Sequence, residues 1–174
     1  MHLDNISFRA ITSSDAGPIV DIINYYITNS TFYFSDKPLG KSSIEDMLAG
    51  KGNLPGYVVL YDEELVGFGY AYPFRPESTF AATVKLTYWL KEGFTGKGIG
   101  KQLYGRLEQK LRKQNIASIL VNISSDNTAS VHFHHSLGYN ECGSFEKIGF
   151  KNGKYFDLVW MQKFLEYSCR FLDC

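Results

Sequence analysis

The chain has 174 residues, 44% of them hydrophobic, with 18 basic and 18 acidic side chains and no formal net charge. That length fits a single domain with its own core, and the balanced charge argues against a general nucleic-acid binder, which carries a basic excess. No run of about 18 apolar residues is present, so no membrane span is expected, and Met1-His2-Leu3-Asp4-Asn5 lacks the basic-then-apolar order of a signal peptide.

Residues 6–12 alternate in polarity and predict a strand. Ser13, Ser14 and Asp15 offer an N-cap to a helix carrying Ile19, Ile22, Ile23 and Tyr26 on one face. An aromatic and polar loop over 30–41 leads to a short helix, capped by Ser42 or Ser43 and running through Ala49. After a turn at 51–55, Tyr57–Tyr61 and Leu65–Tyr72 form a hairpin around Asp62-Glu63-Glu64. A loop over 73–78 precedes a long β-rich stretch over 80–90. Glycine-rich residues 93–100 follow, and then Ile99, Leu103, Leu107 and Leu111 recur every fourth residue through a helix to about Gln114. Residues 116–123 predict another strand. Asp126 or Asn127 caps a helix that runs to Leu137 and stops at Gly138. The stretch from about 140 to 164 predicts two strands joined at Lys151-Asn152-Gly153, because Asn-Gly suits a tight hairpin turn. The order β-α-α-β-β-β-α-β-α-β-β predicts an α/β (α+β) fold, a mixed, largely antiparallel sheet of about seven strands flanked by about four helices.

Three cysteines, Cys142, Cys169 and Cys174, form no CxxC pair, which points to a reducing, cytoplasmic setting with neither a disulfide framework nor a metal site. The 13 Phe and 12 Tyr serve either core and interface packing or the lining of a ligand pocket.

Gly96-Lys97-Gly98-Ile99-Gly100-Lys101 lies between a predicted strand and an amphipathic helix. Glycines allow a tight bend and close approach to a ligand. The first N–H groups of the helix have no intrahelical partner and sit at the positive end of its dipole. Together they suit a pyrophosphate, and Lys97 and Lys101 add charge, with Lys91 and Arg106 available to extend a local basic patch. A ligand-free strand-to-helix turn would use the same glycines. The stretch is neither GxxxxGK[ST] nor GxGxxG, which excludes a nucleoside triphosphate loop and a dinucleotide half.

Thr95 to Gly100 resembles motif A of the GNAT superfamily of N-acetyltransferases, [Q/R]-x-x-G-x-[G/A], with Thr95 in place of the usual Gln or Arg. Asn127, Ser130, His134, Gly138 and Tyr139 are similar to that family's N-x-x-S-x-x-x-[Y/H]-x-x-x-G-[F/Y]. Three further stretches resemble the phosphinothricin and methionine sulfone or sulfoximine acetyltransferases: Asn24-Tyr25-Tyr26-Ile27 with Ser30, Thr31 and Phe34; Pro73-Phe74-Arg75-Pro76; and Gly149 to Lys154 with Asp157 and Met161-Gln162. The resemblance spans about residues 6–163, leaving 164–174 as an extension.

The resemblance implies acetyl-CoA as co-substrate, no metal, a small-molecule primary amine as acceptor and a homodimer. It places the pyrophosphate on the amides of Gly96, Lys97, Gly98, Ile99, Gly100 and Lys101. The thioester and pantetheine arm fall against Tyr88, Trp89 and Leu90, with Asn127, Ser130 and His134 beside the arm. Phe34, Arg75, Pro76, Glu77, Lys85, Leu86 and Thr87 fall at the acceptor. Relatives carry a general-base Glu ten residues before the motif-A Gln, and here that position is Lys85. A protonated Lys repels an ammonium and accepts no proton, whereas a buried neutral one can. Glu77 and His134 are the other catalytic candidates, His134 standing where many relatives have a general-acid Tyr. For Lys85 a carboxylate anchor or a solvated strand residue is the alternative, and for His134 a surface member of the His132, His134, His135 cluster. Other amines as acceptor, or an acyl-CoA sensor that has lost transfer, remain open.

Overall fold

The computed structural model describes residues 5–165. Cys169, Cys174 and most of the C-terminal extension therefore lie outside the described residues, as do Met1 to Asp4. Seven strands form one sheet in the order β1-β2-β3-β4-β5-β7-β6. They are β1 Ile6–Ala10, β2 Gly56–Tyr61, β3 Glu64–Pro73, β4 Thr83–Leu90, β5 Ser118–Ser124, β6 Asn140–Lys151 and β7 Lys154–Phe164. Four helices join them: α1 Ala16–Asn29, α2 Lys41–Gly50, α3 Ile99–Lys113 and α4 Thr128–Ser136. Every neighbouring pair is antiparallel except β4 and β5. The mixed, largely antiparallel sheet and its helices match the sequence pattern.

Alternation along the central strands sends side chains to two cores. On one face Val84, Leu86 and Leu90 of β4 meet Leu103, Leu107 and Leu111 of α3, the fourfold repeat seen in the sequence. On the other, Phe68 and Tyr70 of β3 pack against Ile19, Ile22 and Ile23 of α1 and Ile44 of α2. Gly67 and Gly69 occupy the α3 face of β3. A Cβ at Gly69 would sit 2.7 Å from Tyr88 Cβ and 3.2 Å from Leu107 Cδ1, so only glycine lets α3 approach that closely.

Several boundaries differ from expectation. β4 starts at Thr83, because Ser78–Phe80 turns as a 3₁₀ segment instead of extending the strand. β1 stops at Ala10, and the Thr12 N–H donates to Asp15 Oδ2 at 2.8 Å, fixing the entry to α1. Arg9 holds the same carboxylate through both oxygens, at 2.7 and 2.8 Å. Gly40, not Ser42 or Ser43, precedes α2, and both serines sit inside its first turn. β5 begins at Ser118, with Ile116 buried just ahead of it. The predicted β6–β7 turn forms at Asn152 and Gly153, with φ of 53° and 78°, the left-handed pair that a two-residue hairpin favours.

Gly69→Ala forces Cβ against Tyr88 Cβ and the Thr87 carbonyl oxygen, and is expected to cost about 1–3 kcal/mol in urea denaturation. Gly105→Ala, at a position inside α3 with nothing within 4 Å of the added Cβ, is expected to add about 0.4–1 kcal/mol.

Candidate functional site

β4 and β5 pair in register only over Thr83–Lys85 against Ser118–Leu120. Beyond that point each strand continues, β4 to Leu90 held by β3 and β5 to Ser124 held by β7. The two therefore diverge into a wedge whose vertex is Lys85 and Leu120.

The wedge has hydrogen-bond donors of its own. The Lys91 N–H donates to Val66 O of β3 at 2.7 Å. Backbone groups of successive strand residues point to opposite sides, so the Trp89 N–H also faces β3, while those of Tyr88 and Leu90 face the wedge. Of the three residues expected at the thioester, Trp89 thus has its amide turned away. Its indole packs under α1, with ring centroids 4.8 Å from Tyr26 and 5.7 Å from Tyr33. The Leu90 carbonyl accepts from Tyr26 Oη at 2.7 Å, which pins α1 to the open end.

At that end the chain turns through Gly93, Gly96 and Gly98, with φ of 83°, 71° and 79°. Gly98 immediately precedes α3, whose first internal bond runs from Gln102 N–H to Gly98 O at 3.2 Å. The N–H groups of Ile99, Gly100 and Lys101 therefore have no intrahelical partner. No acidic residue occupies the first turn. A Cβ on Gly96 or Gly98 would meet nothing within 4 Å, so the cradle is open above its amides. Lys97 Nζ donates to Gly93 O at 2.5 Å and lies 5.8 Å from the Phe94 ring centroid, while Lys101 is exposed. Open space, unpaired donors and two lysines fit a pyrophosphate. Gly100 serves packing as well, because a Cβ there would touch Phe133 of α4 at 3.5 Å.

His134 lies on the α3 side, only 3% exposed. α4 starts where Asn127 Oδ1 accepts the Ser130 N–H at 3.1 Å. His134 Nδ1 is 2.7 Å from Ser130 O. A carbonyl only accepts, so Nδ1 carries the proton. Nε2 then accepts from Tyr88 Oη at 2.5 Å. Burial lowers the imidazole pKa to about 4 and raises that of the Tyr88 phenol well above its usual value. His134 is accordingly neutral, with both nitrogens engaged, and it holds Tyr88 beside the wedge. His132 and His135 are exposed, His135 lying 3.3 Å from Glu141. No group of three metal-ligating side chains occurs among the described residues.

Lys85 lies on the opposite, α1 side. Its Nζ is 5.4 Å from the Tyr72 ring centroid and 5.0 Å from that of Trp160. It has no hydrogen bond or ion pair among the described residues. Burial lowers its pKa, although the two ring faces favour the charged form. The aromatic wall continues from Trp160 to Phe74 at 6.4 Å and from Phe74 to Phe80 at 5.7 Å.

The other acceptor candidates are dispersed. Arg75, Pro76 and Glu77 are exposed on the β3–β4 loop. Leu86 is turned into the α3 core. The Thr87 hydroxyl oxygen accepts from Trp89 Nε1 at 3.1 Å. Phe34 stacks on Phe156 with centroids 6.0 Å apart. Its loop is tied down twice: Thr31 Oγ1 donates to Asp126 Oδ2 at 2.6 Å, and Lys151 Nζ donates to Tyr33 O at 2.8 Å. Asp126 also pairs with Lys154 at 2.9 Å, and its pKa is lowered by the Thr31 and Lys154 contacts. The sequence signals neither Trp160 nor the Tyr88–His134 bond, since both are long-range pairings between residues of ordinary core types.

A family model described as an acetyltransferase (GNAT) domain matches residues 8–160. A phosphinothricin N-acetyltransferase of Streptomyces viridochromogenes is 28% identical over 162 residues, covering 92% of this chain and 88% of the relative. An L-methionine sulfoximine/L-methionine sulfone acetyltransferase of Pseudomonas aeruginosa is 29% identical over 160 residues, covering 90% and 92%. Among solved structures, a phosphinothricin acetyltransferase from Sinorhizobium meliloti in complex with acetyl-CoA superposes with a TM-score of 0.87 at 23% identity, covering 92% of this chain and 89% of that one.

Because His134 is neutral when buried and its pKa is about 4 instead of the reference 6.5, the unfolded chain takes up the proton first as pH falls. Stability from this group is complete above about pH 6.5 and is lost down to about pH 4, by about 3 kcal/mol in all. His134→Leu is expected to flatten the denaturation midpoint over that window relative to the parent. It should also cost about 1–3 kcal/mol for the orphaned Tyr88 hydroxyl, most of which the added change Tyr88→Phe should restore.

Proposed function

The chain belongs to the GNAT acetyltransferase family, and from that premise we propose that it is a single-domain enzyme acetylating the primary amine of a small amino-acid-like molecule, with Lys85 as the base. The observation that carries this reading is the wedge itself: an open anion cradle at one end, two unpaired amides along one side, and an amine without an anionic partner at the vertex. The relatives named for phosphinothricin and methionine sulfoximine support the acceptor class.

Acetyl-CoA supplies an acetyl group already activated as a thioester. The residues of this chain do the rest. Gly96 to Lys101 hold the pyrophosphate on helix-terminal amides, and Asn127 and Ser130 flank the arm. The Tyr88 and Leu90 N–H groups face the carbonyl oxygen, which gains charge during transfer. His134 keeps the Tyr88 side chain in place from behind. Lys85, in its neutral form, takes the proton that the acceptor ammonium must lose; in its protonated form it repels a cationic acceptor. Arg75 and Glu77, charges without partners among the described residues, address the acceptor's carboxylate and ammonium from the loop, with Phe34, Pro76 and Thr87 as neighbouring walls. A second cation at Lys85 makes a polyamine a poorer acceptor than an amino acid.

We also infer pairing of two copies through β6, the edge strand. Phe145, Ile148 and Phe150 of β6 and Tyr155 of β7 are 54–63% exposed, more apolar surface than a long free edge tolerates in isolation. Sedimentation is expected to give a dimer, and Phe145→Lys with Ile148→Lys a folded monomer. No helix among the described residues is long and apolar enough to cross a membrane, and the exposed free thiol of Cys142 favours the cytoplasm.

Lys85→Met is expected to lower kcat by about 10²–10⁴-fold with the calorimetric Kd for acetyl-CoA unchanged. Lys85→Glu should retain transfer, with the rising limb of its pH profile moved to lower pH, since a carboxylate is unprotonated at lower pH than a lysine. A rise in acceptor KM alone would mean that Lys85 anchors the acceptor instead. One specific observation, a lysine at the base position, favours a second reading, a sensor that binds acyl-CoA without transfer. Tight acetyl-CoA binding with no thiol release on any amine would establish it.

A further inference from the structure

We propose that Lys85 is itself an acetylation site, modified by the acetyl-CoA bound in its own wedge whenever no acceptor amine is present. The inference rests on the acetyl-CoA site proposed above. Its basis is the position and surroundings of one amine.

Lys85 is the last β4 residue paired with β5, so its backbone marks the point where the wedge closes. The Tyr88 amide that faces the thioester carbonyl lies three residues further along the same strand, about 10 Å away. The Lys85 side chain leaves the sheet on the α1 face, and its Nζ lies 5.0 Å from the ring centroid of Trp160, whose register partner on β5 is Asn122, two residues past the vertex, so the amine leans over the diverging strands. No carboxylate or carbonyl holds Nζ among the described residues. Only two ring faces flank it, Tyr72 and Trp160, and these leave the nitrogen lone pair unbonded when the amine is neutral. Partial burial raises the neutral fraction.

Lys101 is exposed in the pyrophosphate cradle, and four other lysines near the site are engaged elsewhere. Lys91 pairs with Glu64, Lys97 donates to Gly93 O, Lys151 donates to Tyr33 O and Lys154 pairs with Asp126. A neutral amine able to act as a base is equally able to act as a nucleophile.

The step balances without a further reactant. Neutral Nζ donates its lone pair to the thioester carbonyl carbon. The C–S bond breaks with its electron pair on sulfur, and the proton shed by nitrogen passes to that sulfur. The products are an amide at Lys85 and the free thiol of coenzyme A. The amide neither accepts a proton nor carries charge, so the modified protein loses the base. An acceptor in the cleft competes for the same acetyl group and protects Lys85.

The test is incubation of the full chain with acetyl-CoA alone, followed by intact mass and peptide mapping over time, beside calorimetry of acetyl-CoA binding. One acetyl group per chain is expected, at Lys85, in a phase clearly faster than the labelling of any surface lysine. Saturating methionine sulfoximine should slow it, and unfolding in urea should abolish the selectivity. Lys85→Arg should remove the fast phase and leave the slow surface labelling. Acetyl groups spread evenly over exposed lysines, or an unmodified Lys85 in protein that binds acetyl-CoA, would overturn the inference while leaving the proposed function standing. Absence of acetyl-CoA binding would overturn both.

Discussion

The brief parallel contact between β4 and β5 governs the rest of the molecule. Each strand is committed antiparallel to its outer neighbour, β4 to β3 through Leu90 and β5 to β7 through Ser124. Only three register pairs join β4 to β5 within the sheet. Adjacent strands rotate relative to one another by roughly 20–25°, so two ribbons held firmly on their outer edges separate where the shared edge is short. The opening exposes main-chain donors that a complete sheet would have consumed. Everything assigned to the site is arranged around it: α3 begins at its mouth, His134 and Tyr88 close one side, and Lys85 and the aromatic wall lie on the other.

The two sides of the wedge have different electrostatic characters. On the α3 side the Tyr88 phenol and the His134 imidazole satisfy one another. Tyr88 donates to His134, which donates to Ser130, and burial keeps both side chains neutral. On the α1 side an amine stands without an anion. A carboxylate at that vertex would attract an ammonium and hold its proton acceptor permanently ready. A lysine there repels a cation until it loses its own proton, so the charge at the vertex depends on pH.

Much of this was legible in the sequence, for reasons that are local. The glycine turn, the Asn127 cap, the fourfold leucine spacing of α3 and the Asn152-Gly153 hairpin are all set by residues close in sequence. The seven strands and four helices follow from the same signals. What escaped depends on distant pairing. The phenol of Tyr88 meets an imidazole 46 residues away, and the Lys85 amine meets an indole on β7. The stretch 80–90 reads as strand from its first residue because Phe80 and the following alanines are apolar, whereas Phe80 closes the 3₁₀ turn and β4 begins at Thr83. The direction of the Trp89 amide required the register with β3, which residue spacing does not give.

The two ties on the loop after α1 have a mechanical meaning. Thr31 is fastened to the β5–α4 connection, and Tyr33 to Lys151 at the tip of the β6–β7 hairpin. These join the first half of the chain to the second across the sheet, bridging the gap that the strands leave open. Asp126 meets Lys154 of the same hairpin, so loop, connection and hairpin form a closed brace. The brace ties together the α1 side of a sheet whose central contact is three residue pairs long. It also means that a force applied to the exposed hairpin reaches the loop over the cleft through two hydrogen bonds and one ion pair.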